Sequence, residues 1–212
     1  MEEIINYFAN HGDSYLIAVR EHIVISLLSL LLAAIIGIPI GIICTRFHPI
    51  KPFITGTFAT LRIIPSLAVL MLMIPIIGIG ATSAAIALIF LAIPPILINT
   101  MLAFDTLPSA ILETALGMGM SKQRIFFTVK FPLALPLILT GIRTATVEII
   151  ASATLATYIG AGGLGNIIFT GLGLMRSELL LIGGISVAIL SLSAGLLLSC
   201  LESRLFRYKN LK

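Results

Sequence analysis

Glu148 lies within an apolar run from Leu133 to Tyr158, where few residues could support a charge. A carboxylate at the depth of a bilayer costs about 2.5–3.5 kcal/mol on insertion scales, so its presence asks for a reason. Thr140, Thr144, Glu148 and Ser152 recur every four residues, which makes a polar stripe down one helix face. Such a stripe is expected to face the interior of a bundle. There a carboxylate attracts a cation far more strongly than in water, so Thr144, Glu148, Ser152 and the nearby Asn99 are candidate pathway residues. Two structural readings stand beside this one. Glu148 could be protonated and hydrogen-bond a neighbouring helix, or it could pair with a basic residue such as Arg62. Arg143 is five positions away and about 140° round the helix, out of reach. Arg62 and Arg143 are expected near the ends of their runs, with their long side chains snorkelling to the interface. Thr100 adds a further polar group beside Asn99.

Other chemistries find no support. No Ser with His, and no two facing acids, can be assembled within one apolar run, so no catalytic residues are assigned. His11, His22 and His48 share no ligand spacing, and no metal site is expected. Cys44 and Cys200 read as packing residues. Gly160, Gly162, Gly163 and Gly165 place four glycines in six residues, each a cost of about 1 kcal/mol in a regular helix. A phosphate loop would need a preceding strand and a Lys-Ser or Lys-Thr pair, and neither is present. The segment is therefore read as an irregular stretch or a place where helices approach closely. No G-x-x-x-x-G-K-S/T occurs anywhere, so a chain of this kind does not bind ATP in the usual manner.

The elements that must hold these residues are membrane helices. The 212 residues are 58% hydrophobic and 10% charged, with a mean hydropathy of +1.16. Soluble domains carry about 25% charged residues. Apolar runs long enough to span recur along the chain, and the alternation of a membrane barrel is missing. The expected fold is all-α with five spans: His22–Cys44, Phe58–Ile79 (or from Phe53), Ser83–Phe104, Leu133–Tyr158 and Leu179–Leu201. A tight turn at 78–82 separates the second and third. Pro39, Pro65, Pro75, Pro94 and Pro95 fall inside spans, where neighbouring helices can satisfy the freed carbonyls. Residues 1–21 begin with Glu2 and Glu3 and are interrupted at Asn10 to Asp13, unlike a cleavable signal. They are expected to form a short external segment, too small to enclose a ligand.

Lys and Arg concentrate in cytoplasmic loops. One set of loops holds Arg46, Lys51, Lys122, Arg124, Lys130, Arg204, Arg207, Lys209 and Lys212, whereas the other holds Arg20 and Arg176. The N-terminus is thus expected outside and a basic tail, 202–212, in the cytoplasm. The net charge of +4 reflects this topology and gives no support for nucleic-acid binding.

The loop from about 105 to 131 is long for so apolar a chain. Ile111, Leu112, Ala115 and Leu116 are spaced for one helical face. Gly117 and Gly119 then permit a break, Ser121 is a good N-cap, and Ile125, Phe126, Val129 and Lys130 continue a second helix until Pro132. Two short helices joined at a glycine would make a knob on the cytoplasmic face. The same pattern fits an amphipathic hairpin on lipid headgroups.

This loop resembles the signature of the permeases of binding-protein-dependent ABC importers. It has Glu113-Thr114-Ala115, then Gly119, Val129 and Phe131-Pro132, at the spacings of the family's Glu-Ala-Ala, Gly, Ile and Leu-Pro. Thr114, Val129 and Phe131 depart from the commonest letters. The run 142–172 and the segment 61–72, with Ile64-Pro65-Ser66-Leu67, resemble permeases for glycine betaine, carnitine and choline. The glycine run also occurs in methionine permeases. The resemblance implies a type I importer permease in the bacterial cell membrane. It implies that Glu113, Ala115, Gly117, Gly119, Lys122, Phe126 and Pro132 form a loop coupled to separate ATPase subunits, which use ATP and Mg. A second identical or homologous permease and an extracellular or lipid-anchored binding protein would complete the complex. A methionine or other amino-acid permease is the alternative within this family. An ion-coupled secondary transporter with Glu148 as coupling carboxylate is the alternative outside it, although it has no use for the loop.

Overall fold

The computed structural model describes residues 2–47, 49 and 51–205, and among them every regular element is helical. His48 and the tail residues Arg207, Lys209 and Lys212 lie outside the described residues. The order is α1 (Glu2–Cys44), α2 (Lys51–Leu61), α3 (Ser66–Ile77), α4 (Ala81–Asp105), α5 (Ser109–Gly117), α6 (Lys122–Ile125), α7 (Phe131–Ala156), α8 (Gly165–Gly173) and α9 (Ser177–Leu205). A π-helical turn, Phe126–Lys130, joins α6 to α7, and a 3₁₀ turn, Thr157–Ile159, follows α7.

At 1.5 Å per residue, the 25 residues of α4 reach about 38 Å, more than the ~30 Å of a hydrocarbon core. Helix α4 is the axis of the bundle. Its buried Leu88, Ala92 and Ile96 meet Ala33 of α1 and Ala145, Ile149 and Ala153 of α7 in one apolar core. Lipid is as apolar as these side chains, so close packing rather than hydrophobic transfer must hold the helices together. Glycine supplies it. A Cβ at Gly41 of α1 would lie 2.8 Å from Cβ of Thr100, and one at Gly37 would lie 3.2 Å from Ile96. On the opposite flank, a Cβ at Gly141 of α7 would lie 2.8 Å from Cβ of Asn99. The Gly37-x-x-x-Gly41 spacing thus seats α1 on α4, and Gly141 seats α7.

Three sequence expectations are corrected. Span one does not begin at His22, because α1 runs from Glu2 with only a kink at His11 (φ −129°, ψ 17°). The residues before His22 are a continuation of the span and pack on α8 and α9: Ala18 joins Leu164, Ile167, Leu179 and Ile182, and Tyr15 hydrogen-bonds Ser186 at 2.8 Å. Span two is not one helix. It is α2 and α3, bent by 91°, so among the described residues there are four helices of spanning length and composition, or five spans if this pair counts as one. Pro65 causes the break: it has no N–H to donate and disfavours helical geometry at Ile64. It becomes the N-cap of α3 in extended geometry (φ −58°, ψ 133°).

Third, the second helix of the knob is not separate. Residues 122–159 form one 38-residue helical span, and Pro132 does not end it. Proline would clash with the carbonyl four residues before it. The π turn widens the helix there, with the Phe131 N–H bonding to the Phe126 carbonyl. Cys44 is buried as expected, whereas Cys200 is exposed on α9.

Candidate functional site

The connection from α4 to α7 folds as a knob at one end of the bundle. Helix α5 buries Ala115, leaves Leu112 half-buried and exposes Ile111 and Leu116. Glu113, Gly117 and Met118 are exposed on the knob, Met118 to 70%. The turn needs a left-handed residue at one place, Gly119 (φ 75°), while Gly117 is an ordinary helical residue. The Met120 N–H bonds back to the Ala115 carbonyl. The Ser121 hydroxyl then caps the next helix by accepting from the Arg124 N–H at 3.3 Å. Phe104 of α4 stacks on Phe126 with centroids 5.8 Å apart and planes 9° from parallel, which ties the knob to the bundle. Lys122 and Pro132 are exposed.

Halfway along the bundle, the α2–α3 break meets α7 and α9 in an open groove of about 700 Å³. Arg62 projects from the break, and its Nη2 lies 3.8 Å from Glu148 Oε2. The 12 residues of α3 place this break about 18 Å from the Gly78 end of the bundle. Arg62 therefore sits part-way along the bundle with a carboxylate partner. Arg143 and Thr144 line the same groove, together with Ser191, Gly195 and Ser199 of α9. The polar stripe does not act as one surface. Thr140 and Thr144 bond carbonyls of their own helix, those of Pro136 and Thr140. Ser152 is 95% buried in packed helix. Asn99 donates to the Pro95 carbonyl at 2.8 Å and packs against Gly141, away from the groove. Of the four pathway candidates, Thr144 and Glu148 line the groove, and Glu148 faces outward from the single chain.

The glycine segment closes the other end. Gly160, Gly162 and Gly163 all have positive φ (78°, 77° and 84°), which L side chains rarely adopt. Gly165 starts α8, where a Cβ would strike the Thr154 carbonyl and Thr157 Oγ1. Gly162 and Gly163 make room for α1, where a Cβ would meet Glu21 and His22, and the Gly163 N–H donates to Glu21 Oε2 at 2.9 Å, whereas Gly160 faces Ile79 of the α3–α4 turn. His22 is fully buried and its Nε2–H donates to the Ile150 carbonyl at 3.1 Å. The Gly80 N–H bonds the Ile159 carbonyl at 2.7 Å, bringing in the α3–α4 turn. Sequence reasoning missed Glu21 and His22 as partners of the glycines. Their signal was a polar pair directly before an apolar run, facing a glycine cluster.

Membrane-length helices around a central axis, a polar groove at mid-depth and a folded knob at one end define a multi-pass membrane permease. Residues 37–207 match the family described as "Binding-protein-dependent transport system inner membrane component", and the chain belongs to that family. It is 40% identical over 205 residues to the carnitine transport permease protein OpuCB of Listeria monocytogenes, covering 97% of this chain and 94% of the relative. It is 37% identical over 205 residues to the choline transport system permease protein OpuBB of Bacillus subtilis (strain 168), with the same coverage. Its fold is that of type I ABC importer permeases. The inward-facing MetNI methionine ABC transporter matches at a TM-score of 0.71 and 22% identity, covering 88% of this chain and 95% of that one.

Proposed function

We propose that this chain is half of the translocation pathway of an ATP-driven importer for quaternary-amine solutes of the glycine betaine, carnitine and choline type. The observation that carries this reading is similarity across nearly the whole chain to permeases named for carnitine and choline. The knob docks on a separate ATPase subunit: Gly119 sets its turn, and Glu113, Gly117 and Met118 are exposed for contact. Residues 1–21 and the glycine end face outside, toward a binding protein, whereas the knob and the tail 202–212 face the cytoplasm. The charge bias of the loops supports that orientation.

The groove faces a second permease. An Arg–Glu pair at mid-depth, with side chains 42% and 29% exposed on the single chain, is too costly to present to lipid. A partner over this groove would turn it into an enclosed pathway, where Glu148 and Arg62 meet the trimethylammonium and carboxylate ends of a zwitterionic solute. An amino-acid permease would share the fold but lacks the support of those relatives. Uptake of labelled carnitine, choline, glycine betaine and methionine should be compared in cells with and without the gene. Loss of quaternary-amine uptake alone is expected, and loss of methionine uptake alone would refute the proposal.

A further inference from the structure

A second cavity, of about 550 Å³, lies between the knob and the bundle. Three cations line it: Arg46 just past the end of α1, Lys122 at the start of α6, and Lys130 at the entrance to α7. Its apolar wall includes Ile42, Leu112 and Phe126. No acidic residue lines it. Among the described residues the ion pairs are Lys51–Asp105, Arg62–Glu148 and Arg176–Glu178, so these three cations have no carboxylate partner. The level of the cavity is set by its lining. Ile42 and Phe104 are near the last residues of α1 and α4, and Lys130 immediately precedes α7. This is where the apolar helices end and the polar loops begin, the height of lipid headgroups. Beside the lining residues, Ile43, Phe47 and Phe127 are exposed to 53%, 51% and 70%, an apolar surface suited to acyl chains.

We infer that this cavity binds the headgroup of an anionic phospholipid, its phosphate held by Arg46, Lys122 and Lys130 and its acyl chain laid along Ile42 and Phe126. Like charges gathered around one cavity repel each other, and an inserted phosphate relieves that repulsion. The bound lipid would brace the knob against the ends of α1 and α4, because Lys122 belongs to the knob and Arg46 to the bundle. An acidic segment of the ATPase is the competing occupant. The headgroup is favoured because the cavity lies at bilayer height and continues into exposed apolar surface. This inference rests on the chain's place in a membrane and not on which solute it moves.

The test is lipid retention, measured by native mass spectrometry on the permease purified with its ATPase and equilibrated with phosphatidylglycerol or phosphatidylcholine. Phosphatidylglycerol should be retained selectively. Arg46→Gln and Lys130→Gln should each weaken retention roughly fivefold, at about 1 kcal/mol per cation, and Lys130→Arg should restore it in a complex of equal thermal stability. Equal retention of phosphatidylcholine, or unchanged retention in both neutral variants, would overturn the inference. So would displacement of the lipid by water-soluble glycerophosphate at equal concentration, which would mark a free-phosphate site. If the neutral variants lose the ATPase while keeping the lipid, the cavity belongs to the subunit interface. Solute specificity is untouched by any of these outcomes.

Discussion

Gly119 and Gly117 look alike in the loop motif, yet their backbones differ. Gly119 sits at φ 75° with open space around a would-be Cβ, so a substitution there is strained by conformation alone. Gly119→Val should reduce solute uptake severely while the chain still inserts, and Gly119→Asn, which tolerates a left-handed backbone, should retain much of it. Gly117→Ala should leave the fold intact, and any lost uptake would then report contact with the ATPase. Wild-type uptake by Gly119→Val would remove this residue from the coupling account. Glu148 invites a different comparison. Glu148→Gln leaves Arg62 unpaired at mid-depth, which is itself destabilising. The informative set is therefore Glu148→Gln, Arg62→Gln and the double variant. If Glu148 and Arg62 meet the two ends of the solute, the double variant should assemble normally yet slow glycine betaine, which loses both partners, at least as much as choline, which loses only Glu148. Equal and near-normal uptake of both by the double variant would leave the pair a structural brace.

At the scale of elements, the apolar runs made α4, α7 and α9 readable to within a few residues, because a membrane helix must keep nearly every side chain apolar over about 20 residues. What could not be read was where such runs bend. Proline occurs both inside α4, at Pro94 and Pro95, and at the break before α3, at Pro65. Burial alone does not decide it: Pro94 and Pro95 are enclosed by neighbouring helices, but Pro39 and Pro75 are exposed, as Pro65 is, and still lie inside α1 and α3. The loop motif revealed the knob but not its union with α7, since the π turn that accommodates Pro132 leaves no mark in the sequence. The stripe on α7 was visible as periodicity, but its division between groove and core depends on how α9 and the α2–α3 break are placed. Packing by glycine gives a test at this scale. Gly41→Leu should force α1 away from Thr100 and lower the thermal stability of the detergent-solubilised protein by about 1–3 kcal/mol. Gly184→Leu, in open space on α9, should not. Equal stability of the two would refute the close approach of α1 to α4.

For the whole molecule, the account joins an orientation to a direction of transport. In a background of Cys44→Ala and Cys200→Ala, Ser121→Cys should react with an impermeant thiol reagent only from the cytoplasmic side, and Asn10→Cys only from outside. Reaction of Ser121→Cys from outside would reverse the topology and detach the knob from any cytoplasmic ATPase. The claim that unites residue, element and molecule is that this chain passes a quaternary amine inward when ATP is hydrolysed on its knob side. Proteoliposomes holding the permease and its ATPase should be given the binding protein and labelled carnitine or choline on the side opposite the knob. MgATP is supplied only on the knob side, or withheld. The account predicts accumulation against a gradient that requires MgATP on the knob side and is abolished by Gly119→Val. Accumulation of the same size without ATP, driven by an imposed ion gradient, would contradict it.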